Sequence, residues 1–163
     1  MAGLVKNWLQ IVPWEAVVSI NAALCEARKA LHKPTSDGYT PAKELWEKNR
    51  SRKLSLSEVF QIGFQCHRLA PFCNYNGNTF VTIIRTLLND VLKDMPADKA
   101  HILRSIAGHI VAGTATDIEK KQLDSLLAAL EKRPPSGSAQ KSCGRFVLLQ
   151  SARRLAQSKT QGV

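Results

Sequence analysis

Phe80-Val81-Thr82-Ile83-Ile84-Arg85-Thr86-Leu87-Leu88-Asn89-Asp90-Val91-Leu92 is the stretch that decides the fold. Phe80, Ile83, Ile84, Leu87, Leu88, Val91 and Leu92 fall at i, i+3, i+4, i+7, i+8, i+11 and i+12, while Arg85, Asn89, Asp90 and Lys93 take other faces. That spacing belongs to a helix burying one stripe against a core, and a half-buried strand would alternate at period two instead.

Helix signals continue on both sides of it. Upstream, Pro13 suits the first turn of a helix, and Val17, Ile20, Leu24, Ala27 and Leu31 form one stripe that should end near His32, before Pro34. Thr40 followed by Pro41 reads as a cap and first-turn proline for a shorter helix carrying Leu45 and Trp46. Ser55 and Glu58 have capping-box spacing, and Leu56, Val59, Phe60 and Phe64 set the period of a third helix that must stop near Ala70, ahead of Pro71. Downstream, Pro96 resets the chain, and Ile102, Leu103, Ile106, Ala107, Ile110 and Val111 mark a fifth helix closed by Gly113. Thr116 and Glu119 make a second capping box for a helix striped by Leu123, Leu126, Leu127 and Leu130, ending at about Arg133.

The expected fold is therefore all-α, a single compact bundle of about six helices over residues 1–133. Pro134-Pro135-Ser136-Gly137-Ser138 then reads as a linker, so 134–163 forms a basic tail in which 145–157 has the pattern of an amphipathic helix. A helix of that length is marginal alone in water. A chain of 163 residues, 44% hydrophobic and 22% charged, buries a core without disulfides. With no CxxC pair among Cys25, Cys66, Cys73 and Cys143, we expect free thiols, a reducing compartment and a cytoplasmic setting. No apolar run approaches the ~18 residues of a membrane span, and no signal peptide is read at the N-terminus.

The net charge of +10 is unevenly spread. Lys141, Arg145, Arg153, Arg154 and Lys159 lie in an acid-free tail, and Lys43 to Lys53 carries five cations against Glu44 and Glu47. Such a balance points to polyanionic partners, either nucleic acid or an acidic protein surface. The expected phosphate contacts are Lys48, Arg50, Arg52, Lys53, Lys141, Arg145, Arg153 and Arg154. No glycine-hinged helix-turn-helix spacing is evident, so backbone contact is expected rather than base readout.

The segment Cys66 to Thr79 invites three chemical readings. Cys66, His67 and Cys73, completed by His101 or His109, could hold zinc, but their spacing matches neither CxxC nor HxxxH; buried structural thiols are expected instead, with no metal or cofactor. Asn76-Gly77-Asn78-Thr79 opens the strongest helix, where Gly77 can take positive φ, free N–H groups suit an anion, and Arg68 and Arg85 are the nearest cations; otherwise Asn78 or Thr79 simply caps the helix. Finally, Ala70-Pro71-Phe72 followed by Asn76-Gly77 resembles the HPFxxGNG loop of Fic-type AMP-transferases over about eight residues, with Pro71, Phe72, Asn76 and Gly77 in register. The motif's histidine is replaced by Ala70, its first glycine by Tyr75, and its following arginine by Asn78. The base is missing, and no role carries over.

His101 and His109, eight residues apart with Ser105 midway, show no oriented partner in sequence, and Gly108 and Gly113 suggest close helix packing. Trp8, Trp14 and Trp46 read as core or interface anchors. No P-loop, GxSxG, HExxH or dinucleotide fingerprint occurs. The expectation is a non-enzymatic basic subunit that binds RNA or DNA backbone within a larger assembly or homo-oligomer, away from membranes. The alternative is an interaction module whose tail docks on an acidic protein.

Overall fold

A computed structural model describes residues 5–131, which form a compact helical bundle. A short 3₁₀ turn, Trp8–Ile11, precedes α1 (Trp14–Ala27), α2 (Tyr39–Arg50), α3 (Leu56–Leu69), α4 (Asn76–Leu92), α5 (Ala97–Ala112) and α6 (Asp117–Glu131). Among the described residues there is no β-strand, and no helix is long and apolar enough to cross a membrane. The domain boundary expected at Pro134 lies outside the described residues.

α4 is the central helix, as its stripe requires. Phe80, Ile83, Ile84 and Leu88 are essentially inaccessible to solvent, and α4 packs against α1, α3 and α5. α2 lies against α3, and α6 lies along α5. All three tryptophans are buried; Trp46 donates its indole N–H to the Val12 carbonyl (2.9 Å), fixing the 3₁₀ turn over α2. Burying such rings adds several kcal/mol of hydrophobic driving force, on the order of 25 cal/mol per Å².

The helix ends explain where the sequence reading slipped. Both capping boxes form: the Ser55 hydroxyl accepts from the Glu58 N–H while Glu58 takes the Ser55 N–H, and Thr116 and Glu119 repeat the exchange. α1, however, ends at Ala27, because Lys29 turns left-handed (φ 51°) and the Ala30 N–H returns to the Cys25 carbonyl. Leu31, expected on the buried stripe, is 65% exposed. Its carbonyl instead accepts from the Asn74 amide (3.0 Å) and the Cys73 thiol (3.2 Å). The chain has to leave the helix there to run antiparallel to residues 71–73, where Thr35 N–H donates to Pro71 and Cys73 N–H to Lys33. α2 begins at Tyr39 with Gly38 as its N-cap, so Thr40 and Pro41 lie inside the first turn, where a missing N–H costs nothing.

One long-range hydrogen bond and one close backbone approach lock these ends together. Glu47, counted from sequence only as a counter-charge, accepts the Trp14 N–H (2.9 Å) and so caps α1 from α2. Gly38 lies against the carbonyls of Leu69 and Ala70 at the end of α3, where an added Cβ would overlap the Leu69 oxygen. Backbone cannot yield there as a flexible side chain would. Gly38→Ala should therefore lower stability by roughly 2–4 kcal/mol, read as an earlier urea midpoint with an unchanged slope; a midpoint within experimental error of wild type would show that the α2–α3 contact is slack.

His109 at the end of α5 meets Glu119 at 2.5 Å and ties α6 in place. Hydrogen bonds from the Thr116 backbone, then from His109 and the Thr116 hydroxyl, hold the Glu119 carboxyl down at about 2. Since the folded value lies below the ordinary 4.5, this contribution is complete above that value and disappears as pH falls toward about 2. Glu119→Gln should flatten the loss of stability across that acid window. An acid-unfolding curve identical in slope to wild type would remove Glu119 from the account.

Candidate nucleic-acid interface

The expected cations of the body separate into two groups once folded. Arg50 is structural: it pairs with Glu47 at 2.8 Å and donates to the Gln10 carbonyl at 3.2 Å, with its side chain about 30% exposed. Its Nε is buried without a partner, a desolvation cost accepted for the two bonds at the guanidinium tip. Lys48, Arg52 and Lys53 are exposed at the end of α2 and the turn that follows. Lys48 and Arg52 line a groove of about 410 Å³ between α2 and α3, with Leu45, Leu54 and Ile62 beneath and the amides of Asn49, Gln61 and Gln65 along it.

One carboxylate enters the same groove. Glu58 stays ionised because the Ser55 backbone and hydroxyl donate to it, which holds its carboxyl below the usual range. Its link to Arg52 is long, 3.8 Å, with both side chains about half exposed. Such a surface pair contributes little, and salt or a competing phosphate can displace it. Arg52 also donates to the Asn49 side chain at 2.6 Å, which orients the guanidinium at the lip. Lys141, Arg145, Arg153 and Arg154 lie outside the described residues.

The proposed anion cluster is largely taken apart by the fold. Tyr75, not Gly77, adopts the left-handed conformation (φ 58°), and it does so where the resembled Fic-type loop carries its first glycine. α4 then starts at Asn76, three to four residues earlier than a cap at Asn78 or Thr79 would place it. The Asn76 side chain closes the loop on itself, accepting the Phe72 N–H and donating to the Phe72 carbonyl. Gly77 packs beneath the His67 ring. Thr79 is buried, donating to the Tyr75 carbonyl and accepting from Asn21. Arg85 lies over Gly108 on α5 and donates to the Arg104 carbonyl, so it serves helix packing there. Arg68 and Asn78 remain exposed.

The cysteines and histidines disperse in the same way. Cys66 is buried with its thiol toward the Ala42 carbonyl, and burial pushes it up to about 12. His67 faces the Val111 carbonyl at 2.9 Å, which fixes its proton on Nδ1. Cys73 is exposed on the loop. Among the described residues, no three His, Cys, Asp or Glu side chains converge as metal ligands. The His109–Glu119 pair was unreadable from sequence, since it joins two helices.

A polar hub also escaped the sequence reading. Asn21 is fully buried on α1, yet its amide donates to the Asn74 carbonyl (2.8 Å) and the Thr79 hydroxyl (2.9 Å). Its oxygen accepts from His32 Nδ1 (2.8 Å) and faces the Cys25 thiol. The readable signal was an asparagine inside the stripe of Val17, Ile20 and Leu24, since buried amides are kept only where they are bonded.

Compared with family models, with curated proteins and with solved structures, the chain matches none. The thiol geometry gives a direct expectation. In native protein at pH 8, an alkylating reagent should modify Cys73 rapidly and leave Cys66 unmodified until the fold opens; equal rates at both would contradict the burial of Cys66.

Proposed function

We propose that the protein is a non-enzymatic helical subunit that binds the nucleic-acid backbone along the groove between α2 and α3. The observation that carries this reading is the placement of Lys48 and Arg52 on one groove, with Lys53 exposed beside it. Cations there supply the sequence-independent part of binding, and the exposed amides of Gln61 and Gln65 can bond phosphate or sugar oxygens. The burial of Trp8, Trp14 and Trp46 keeps the three indoles from stacking on bases, which favours backbone contact over base readout. The basic tail adds charge to the same reading, and membership of a larger assembly belongs to it.

Binding should be weakly sequence-dependent and steeply salt-dependent. Replacing Lys48 and Arg52 together by alanine removes two phosphate contacts and should flatten the slope of log K against log salt by roughly 1.4 to 1.8, weakening all sequences about equally. Both residues are exposed, so the fold should survive. An unchanged slope would move the contact elsewhere on the chain. No binding to single- or double-stranded oligonucleotides at ~50 mM salt would end this reading in favour of an acidic protein partner.

A further inference from the structure

α6 is the helix least enclosed by its neighbours. It lies along α5 and buries Leu123, whereas Leu126, Leu127 and Leu130 are only partly covered. On its α3 side a groove of about 430 Å³ stands open, floored by Phe60, Phe64, Ile110 and Leu123. Gly113, with φ 77°, sits against the Phe64 ring there, so the floor is fixed. The space is large enough to receive bulky apolar side chains, and an amphipathic helix is the usual occupant of such a groove.

Lys120 and Asp124 are the charged residues of its rim. Asp117 is paired with Lys120 and Glu119 with His109, while Asp124, at the lip, has no ion-pair partner among the described residues. The same chain continues directly from α6 into an acid-free segment. Within it, Leu148, Leu149, Ala152, Leu155 and Ala156 fall at i, i+1, i+4, i+7 and i+8, with Arg145, Arg153 and Arg154 alongside. That is a helical stripe with a basic border, its apolar side matched to the groove floor and its arginines to the unpaired acid, Asp124.

We propose that residues 145–157 dock back into the groove between α3 and α6, seating Leu148, Leu149 and Leu155 on its aromatic floor with an arginine facing Asp124. Length permits it. The chain between Glu131 and Leu148 can span ~56 Å when extended, and Asp124 lies only ~11 Å back along α6. Tethering makes the event intramolecular, at an effective concentration in the millimolar range, which favours the chain's own tail over a second copy. Ser57 and Gln61 line both this groove and the α2–α3 groove, so the docked arginines would continue the basic surface of Lys48 and Arg52 across α3. The docking itself does not depend on the nucleic-acid reading.

Hydrogen exchange on the full chain tests it without any ligand. In wild type, amides of α6 and of the exposed side of α3 should exchange at least tenfold more slowly than in a Leu148→Asp, Leu149→Asp, Leu155→Asp variant, with α4 unchanged and both proteins monomeric by sedimentation. Asp124→Lys, on an exposed residue, should give a smaller loss of protection at the same sites. Equal exchange in α6 between wild type and the triple variant would overturn the proposal. So would protection that vanishes on dilution along with a dimer, which would make a second copy the occupant. A rise in α4 exchange as well would overturn it in another way, by making the tail part of the core.

Discussion

The bundle depends on one buried amide. Asn21 has no access to solvent, so each of its hydrogen-bonding groups has to find a partner inside the protein. The Asn74 carbonyl can only accept, which orients the amide nitrogen toward it and the oxygen toward His32. His32 must then carry its proton on Nδ1. Through this side chain α1 grips the loop after α3, the first turn of α4 and the strand-like segment that follows its own C-terminus. Removing one partner would strand a buried donor or acceptor at a cost of about 1–3 kcal/mol.

That constraint reaches the candidate interface through apolar contacts. Phe72, held in the loop that Asn76 closes, stacks on Trp14 at 6.2 Å and meets Tyr39 edge-on at 6.0 Å. Tyr39 opens α2, and Gly38 just before it touches the end of α3. The angle between α2 and α3 is therefore set at one end by this aromatic cluster and at the other by the Ser55–Glu58 capping box. The groove carrying Lys48 and Arg52 lies between those two anchors. Its cations are exposed side chains on a fixed frame, which suits a contact that follows a phosphate backbone without reading it.

The bundle was legible because its helices announce themselves by period and by caps. The α4 stripe and both Ser/Thr-to-Glu boxes stand where the pattern put them. What misled was local chemistry overridden by distant partners. Leu31 continues the α1 spacing, but the carbonyl of that residue is needed by Asn74 and Cys73, forty residues on. Gly77 looked like the positive-φ residue, yet the turn falls on Tyr75 because Asn76 must reach back to Phe72. Among the candidate contacts, charge alone could not separate Arg50, half-buried against Glu47 and Gln10, from Lys48 and Arg52, which are exposed along the groove. Sequence shows which residues are cations; the packing of helix ends decides which of them remain available.

The most direct measurement is an amide and side-chain chemical-shift titration of the full protein with a short oligonucleotide at low salt. The account predicts that shifts concentrate at Lys48, Asn49, Arg52, Gln61 and Gln65, with the buried Asn21 hub unmoved. Shifts confined to Arg68, Asn78 and the first turn of α4, or scattered evenly over the surface lysines, would contradict it.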